Sequence, residues 1–246
     1  MEHLFTKYKK RIFIVSALII LISGFFISQL DYREEYAFIS MFFMIFITLP
    51  TYYFFIIKHN KFNAIKVLII LSLFSMVIET IGILTGFPYS FFTYTNNLGP
   101  KIFVIPITLS FGFVPLVIAS WYLIEKFKLK NLFIKIFYGA LILILFDLVL
   151  DPAAVVLNFW EWEINGLYYG VPLLNYLGWL FTGIISMVVI FYFMKEKPKS
   201  DYLIYTALMG NLFFTMVVIM NLMIIPSIIG IIISFYLCYI IKKEKN

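Results

Sequence analysis

Four polar residues stand where an apolar sequence has least room for them. Glu79, Asp147 and Asp151 lie within or at the end of long apolar runs, and Asn175 opens another. An ionisable side chain in hydrocarbon costs roughly 2.5–3.5 kcal/mol, so such residues mark function by default. In Phe-Asp147-Leu-Val-Leu-Asp151-Pro152 the aspartates are four apart and share one helical face, which Pro152 is expected to close. Counted from the expected outer helix ends, Glu79 and Asp147 lie at similar depth at about 1.5 Å per residue. Three carboxyls at one level, in the outer third of a membrane, favour one neutral acid beside an ionised partner, which is an acid/base pair. Aromatic faces nearby would stabilise a transient cation. The same groups also have structural uses. Glu79 can hydrogen-bond a neighbouring helix, Asp151 can cap the following loop, and Asn175 can either orient a water or make an interhelical contact. Glu161 and Glu163 read as loop charges in water.

These residues need elements to hold them, and composition says which. Of 246 residues 63% are apolar and 13% charged, against about 25% charged in an average protein. Runs of roughly 18 or more apolar residues span a bilayer core. The sequence predicts an all-α, polytopic helical bundle with helices at about 12–30, 36–57, 67–84, 102–124, 133–150, 173–194, 202–223 and 226–241. This is read as one transmembrane domain, 1–246, with the site region at 67–194. The first helix, preceded by Lys7-Tyr8-Lys9-Lys10-Arg11 and lacking a small-x-small cleavage site, reads as retained. Pro226 is expected to mark a tight hairpin between the last two helices.

Charge gives the topology. In an eight-helix arrangement every basic residue except Arg33 and Lys101 falls on one side, which the positive-inside rule makes cytoplasmic, together with both termini. The net charge of +6 is thereby spread over short connections, with no basic groove left for nucleic acid.

The two long outer connections, 85–101 and 151–172, are rich in aromatics, Gly and Pro. Each carries an aromatic-x-aromatic unit (Phe92-Thr93-Tyr94 and Trp160-Glu161-Trp162) and enters a helix through Ile105-Pro106 or Val171-Pro172. They read as a weak parallel repeat of helix–loop–helix, although an interfacial aromatic belt would look similar.

Several chemistries are poorly served. His3 and His59 fall on the cytoplasmic side, away from the carboxyls, and Cys238 is the single cysteine. There is no Gly-rich phosphate loop, no dinucleotide fingerprint and no Asp-rich motif for Mg²⁺ and diphosphate. No metal site is expected. Cofactor-free acid/base chemistry on an apolar substrate remains, or proton-coupled transport.

Two blocks resemble the membrane carotenoid biosynthesis proteins of the bisanhydrobacterioruberin hydratase type. The first is Glu79-Thr-Ile-Gly-Ile-Leu-Thr-Gly-Phe-Pro88, continuing through Tyr94, Leu98-Gly99-Pro100 and Pro106. The second is Asp151-Pro152, Trp160-x-Trp162, Gly166, Tyr168-Tyr169-Gly170-Val171-Pro172, Asn175 and Gly178-Trp179. This chain has Tyr89-Ser90 where the family pattern has Phe-Gly, and Phe111 or Phe113 where it has Trp.

The resemblance implies addition of water to the terminal isoprenoid double bond of an acyclic C40 or C50 carotenoid, giving a tertiary alcohol without a cofactor. It implies a multi-pass protein of the cell membrane, with lipid and other carotenoid biosynthesis enzymes as partners. Asp147 or Glu79 would donate the proton, and Asp151 with Asn175 would position water. Tyr94, Trp160, Trp162, Tyr168, Tyr169 and Trp179 would line the end-group pocket. A polyene spanning the bilayer would present its tip at the carboxyl depth. Two rival readings use the same carboxyls. A membrane lycopene-type cyclase closes a ring instead of admitting water, and its Pro-x-Glu-Glu motif is not found. A proton-coupled carrier or lipid-binding protein would use the carboxyls as a relay.

Overall fold

Eight helices among the described residues are long and apolar enough to cross a membrane. The structure is a computed structural model that describes residues 2–30 and 37–243. Arg33, Lys245 and the expected start of the second helix at residue 36 lie outside them. The helices are α1 (Glu2–Ile27), α2 (Ala37–Lys58), α3 (Lys61–Thr85), α4 (Leu109–Lys126), α5 (Leu132–Val156), α6 (Leu173–Phe193), α7 (Tyr205–Met220) and α8 (Ile224–Lys243).

Local chemistry sets several ends. The Asn60 side chain accepts from Asn63 N at 3.1 Å to open α3, and Asn131 accepts from Phe133 N at 2.9 Å to open α5. Gly86, with φ 75°, closes α3 in the left-handed conformation. The last two helices form the expected tight hairpin, with Asn221, Leu222 and Met223 between them.

Four boundaries depart from the sequence reading. Helix α1 begins at Glu2 rather than 12, so the basic stretch Lys7–Arg11 belongs to the helix. Helix α3 begins six residues earlier than expected, at Lys61, where Asn60 caps it. Helix α4 begins at Leu109 rather than 102, because Lys101–Ile102 (β2) folds back on Ile105–Pro106 (β3) as a small antiparallel ladder. Helix α5 continues through Pro152 to Val156. A proline inside a helix removes one donor and orphans the carbonyl four residues back. Here that carbonyl is Leu148 O, and the Tyr168 hydroxyl donates to it at 3.0 Å. At Pro115 of helix α4, Phe111 O lies 3.1 Å from Thr48 Oγ1, whose single proton it shares with Met44 O at 2.8 Å.

Helix α4 is the central post. From Val114 to Ile124 it is buried throughout, against α2, α3, α5, α6 and α7. Helices α5 and α6 pack closely, while α1 and α8 lie on the flanks of α7. At the basic end, Lys9 pairs with Asp201, whose other oxygen accepts from the Tyr122 hydroxyl at 2.9 Å. At the opposite end the two long loops join. Phe92–Tyr94 (β1) pairs antiparallel with Trp160–Trp162 (β4), placing Phe92 opposite Trp162 and Tyr94 opposite Trp160. The two aromatic-x-aromatic units therefore form one ladder.

Candidate active site

The three carboxyls converge from α3 and α5 beneath that ladder. Glu79 is buried on α3, and Asp147 and Asp151 are buried one turn apart on α5. Asn175, in the first turn of α6, directs its amide to both aspartates, at 3.0 Å to Asp147 Oδ2 and in a short contact to Asp151 Oδ2. That shared amide holds the two aspartates side by side. Glu79 has different company, accepting from the Tyr94 hydroxyl at 3.0 Å and from Tyr89. Burial, followed by the neighbouring Glu79, pushes the Tyr89 and Tyr94 phenols well above their ordinary range, so both remain donors at neutral pH.

Close approach makes this arrangement possible. The Tyr89 ring is held between two glycines. A Cβ on Gly178 would lie 2.4 Å from Tyr89 Cδ1 and 2.8 Å from Pro88 O, and one on Gly82 would lie 2.9 Å from Tyr89 Cδ2. Only a bare backbone on α3 and α6 lets the ring reach Glu79 and Thr182.

A cavity of about 90 Å³ opens beside the carboxyls, walled by Tyr94, Phe92, Trp160, Trp162, Trp179 and Phe113. Glu79, Asp151 and Asn175 reach its lining, and the fully buried Asp147 sits behind Asp151. The indole N–H groups of Trp160 and Trp162, the Tyr176 hydroxyl and Asp147 Oδ1 are buried without a partner. Of these, the two tryptophans belong to the cavity wall.

Of the expected pocket residues, Tyr94, Trp160, Trp162 and Trp179 line this cavity. The structure places Tyr168 and Tyr169 elsewhere. Tyr168 serves the Leu148 carbonyl, and burial beside Tyr169 pushes its phenol up to about 12. The Tyr169 hydroxyl accepts from Ile225 N at 3.3 Å, tying the second loop to α8. His59 lies in the turn between α2 and α3, at the end of the bundle away from the carboxyls, on the Phe55 carbonyl and beside Trp121.

The family model described as carotenoid biosynthesis protein matches residues 36–240. The chain belongs to that family. A bisanhydrobacterioruberin hydratase from Haloarcula japonica is 38% identical over 126 residues, covering 50% of this chain and 43% of the relative. The match thus spans less than half the relative's length. No solved structure matches.

Sequence reasoning missed Tyr89 as a companion of Glu79, and Thr182 as a companion of Tyr89. Tyr89 was visible only as a departure from the family pattern. Its neighbour Ser90 occupies the position where that pattern has glycine, and its φ is 93°, a region that favours glycine. Phe113, one of the two phenylalanines that stand where the pattern has Trp, packs against Trp179 with ring centroids 5.8 Å apart.

Proposed function

We propose that this carotenoid biosynthesis protein is a hydratase that adds water to the terminal double bond of an acyclic C40 or C50 carotenoid. The observation that carries the reading is the division of labour among the carboxyls. Asp147 and Asp151 share the Asn175 amide, while Glu79 is held by two phenols, all at one aromatic-walled cavity. The similarity to a protein named as a hydratase supports the same reaction.

Protonation of a trisubstituted alkene forms a C–H bond and leaves a tertiary carbocation. Of the two donors considered, Asp147 and Glu79, the geometry favours Asp147, acting through Asp151, which faces the cavity. The faces of Tyr94, Trp160, Trp162 and Trp179 lie where the cation would form and stabilise it by their quadrupoles. Asn175 and the unpaired indole N–H groups hold the water. Its oxygen captures the cation, and Glu79 takes the released proton, which returns to the aspartate pair. Overall one water is added and nothing is oxidised or reduced, so the step calls for no cofactor. We place the basic end in the cytoplasm and the cavity in the outer half of the cell membrane.

Expression in a host that accumulates acyclic carotenoids, followed by mass spectrometry of the pigments, tests this. The reading expects a gain of one water per modified end. An isomer of unchanged mass with altered absorption would instead establish ring closure. Unchanged pigment from both C40 and C50 substrates, in membranes that contain the protein, would refute carotenoid chemistry and favour a carrier.

A further inference from the structure

A second, larger chamber lies against the first. It measures about 410 Å³ and is lined from α1, α2, α4, α5 and α7, where a cavity of about 150 Å³ already accepts a benzene ring. The two chambers share eight lining residues, Met44, Gly112, Leu116, Leu150 and Phe214 among them, so the space continues from the carboxyls into the bundle. Its character changes on the way. The first chamber offers carboxyls and unpaired indole N–H groups. The second is walled by Ile, Leu, Phe and Met, and its polar groups are largely engaged with protein. Thr206 donates to Ile47 O, Thr108 to Leu98 O and Ser23 to Ile19 O, while Asn211 turns its Nδ2 to Gly230 O and Ser234 and leaves only its Oδ1 without a partner. An apolar chain suits such walls, and a polar one would leave its own groups unpaired.

The chamber also meets the lipid. Helix α1 packs along α7, and α2 packs on α4 and α7. Between α1 and α2 the lining residues Leu30, Ile39 and Phe43 are exposed, at 57%, 65% and 37%. In a bilayer these side chains touch acyl chains.

We propose that this chamber binds the long apolar chain of the substrate, received sideways from lipid between α1 and α2, with the reacting end held at the carboxyls. The occupant is a linear polyene, an assignment that rests on the hydratase reading. Gly210 offers the means to test it. It lines the chamber, and a Cβ there would meet nothing within 4 Å. A larger side chain at this position therefore fills the chamber without striking the helices around it.

The experiment measures binding of an acyclic C40 and an acyclic C50 polyene, each in turn, to purified protein in lipid nanodiscs, through quenching of tryptophan emission from Trp160, Trp162 and Trp179. Wild type is compared with Gly210→Ala, Gly210→Leu and Gly210→Phe. Affinity should fall in order of side-chain volume, by about tenfold or more for Leu and Phe. If the Phe variant fails to insert, the Ala and Leu variants carry the comparison. Equal affinity across the folded variants overturns the chamber assignment, even if wild type hydrates the polyene. Graded binding without any hydrated product upholds the chamber and overturns the hydratase reading. A wild type that binds no polyene overturns both.

Discussion

Tyr94 and Trp160 face each other across the ladder that joins the two outer loops, with ring centroids 5.7 Å apart and planes at 85°. The Tyr94 hydroxyl then reaches Glu79 at 3.0 Å. One phenol thus connects the pairing of two loops, distant in sequence, to a carboxyl on α3. The ladder is a positioning device for the cavity as well as its roof.

Tyr94→Phe keeps the ring against Trp160 and removes only the bond to Glu79. It should cost about 1 kcal/mol of stability and lower turnover by roughly tenfold, since Glu79 keeps Tyr89 as its second donor. Thermal unfolding and turnover on the same preparation check both figures. Unaltered turnover would show that Glu79 needs no second phenol.

Asp147→Asn, Asp151→Asn and Glu79→Gln are near-isosteric and should leave the protein inserted. Each should lower hydration by about a hundredfold or more, the usual worth of a positioned acid or base. Product yield normalised to membrane-inserted protein is the measure. Full activity in all three would end the acid/base assignment and leave family membership intact.

Asn175→Ala removes the amide that both aspartates share. Two buried acceptors lose a donor, at a cost of about 1–3 kcal/mol, and turnover should fall with it. Asn175→Asp adds a third carboxyl at the same point and should be the worse of the two in stability. A thermal-shift comparison in lipid ranks them.

Gly178→Ala drives a methyl group into the Tyr89 ring and the Pro88 carbonyl. Overpacking of this kind costs about 1–3 kcal/mol. Pairing it with Tyr89→Leu should recover part of that loss, because the two sites are in contact. Strict additivity in the double mutant would place the strain elsewhere.

Ser90→Gly should stabilise the protein by about 1 kcal/mol, since a φ of 93° penalises any Cβ. An unchanged melting midpoint would mean that the loop relaxes around the serine.

The spans were legible because the bilayer converts apolar run length directly into helix count. The end of α5 was not. Pro152 reads as a terminator unless the freed Leu148 carbonyl has another donor, and that donor, Tyr168, lies 20 residues further along the chain. Asp147 consequently sits deeper in its helix than the sequence suggests. The carboxyls, Asn175, Tyr94 and the three tryptophans were readable as chemistry-bearing types at one level. What joins them was not, because the β1–β4 register and the seating of Tyr89 between Gly82 and Gly178 are long-range contacts without a local pattern. The two aromatic-x-aromatic units were visible as a repetition. That they pair with one another is a property of the fold.

The most direct test of the account supplies an acyclic carotenoid to the purified protein in lipid, with water enriched in heavy oxygen, and weighs the product. Capture of a carbocation by water predicts a tertiary alcohol that carries the label, one labelled water per modified end. A hydroxyl without the label, or an isomer of unchanged mass, would contradict it.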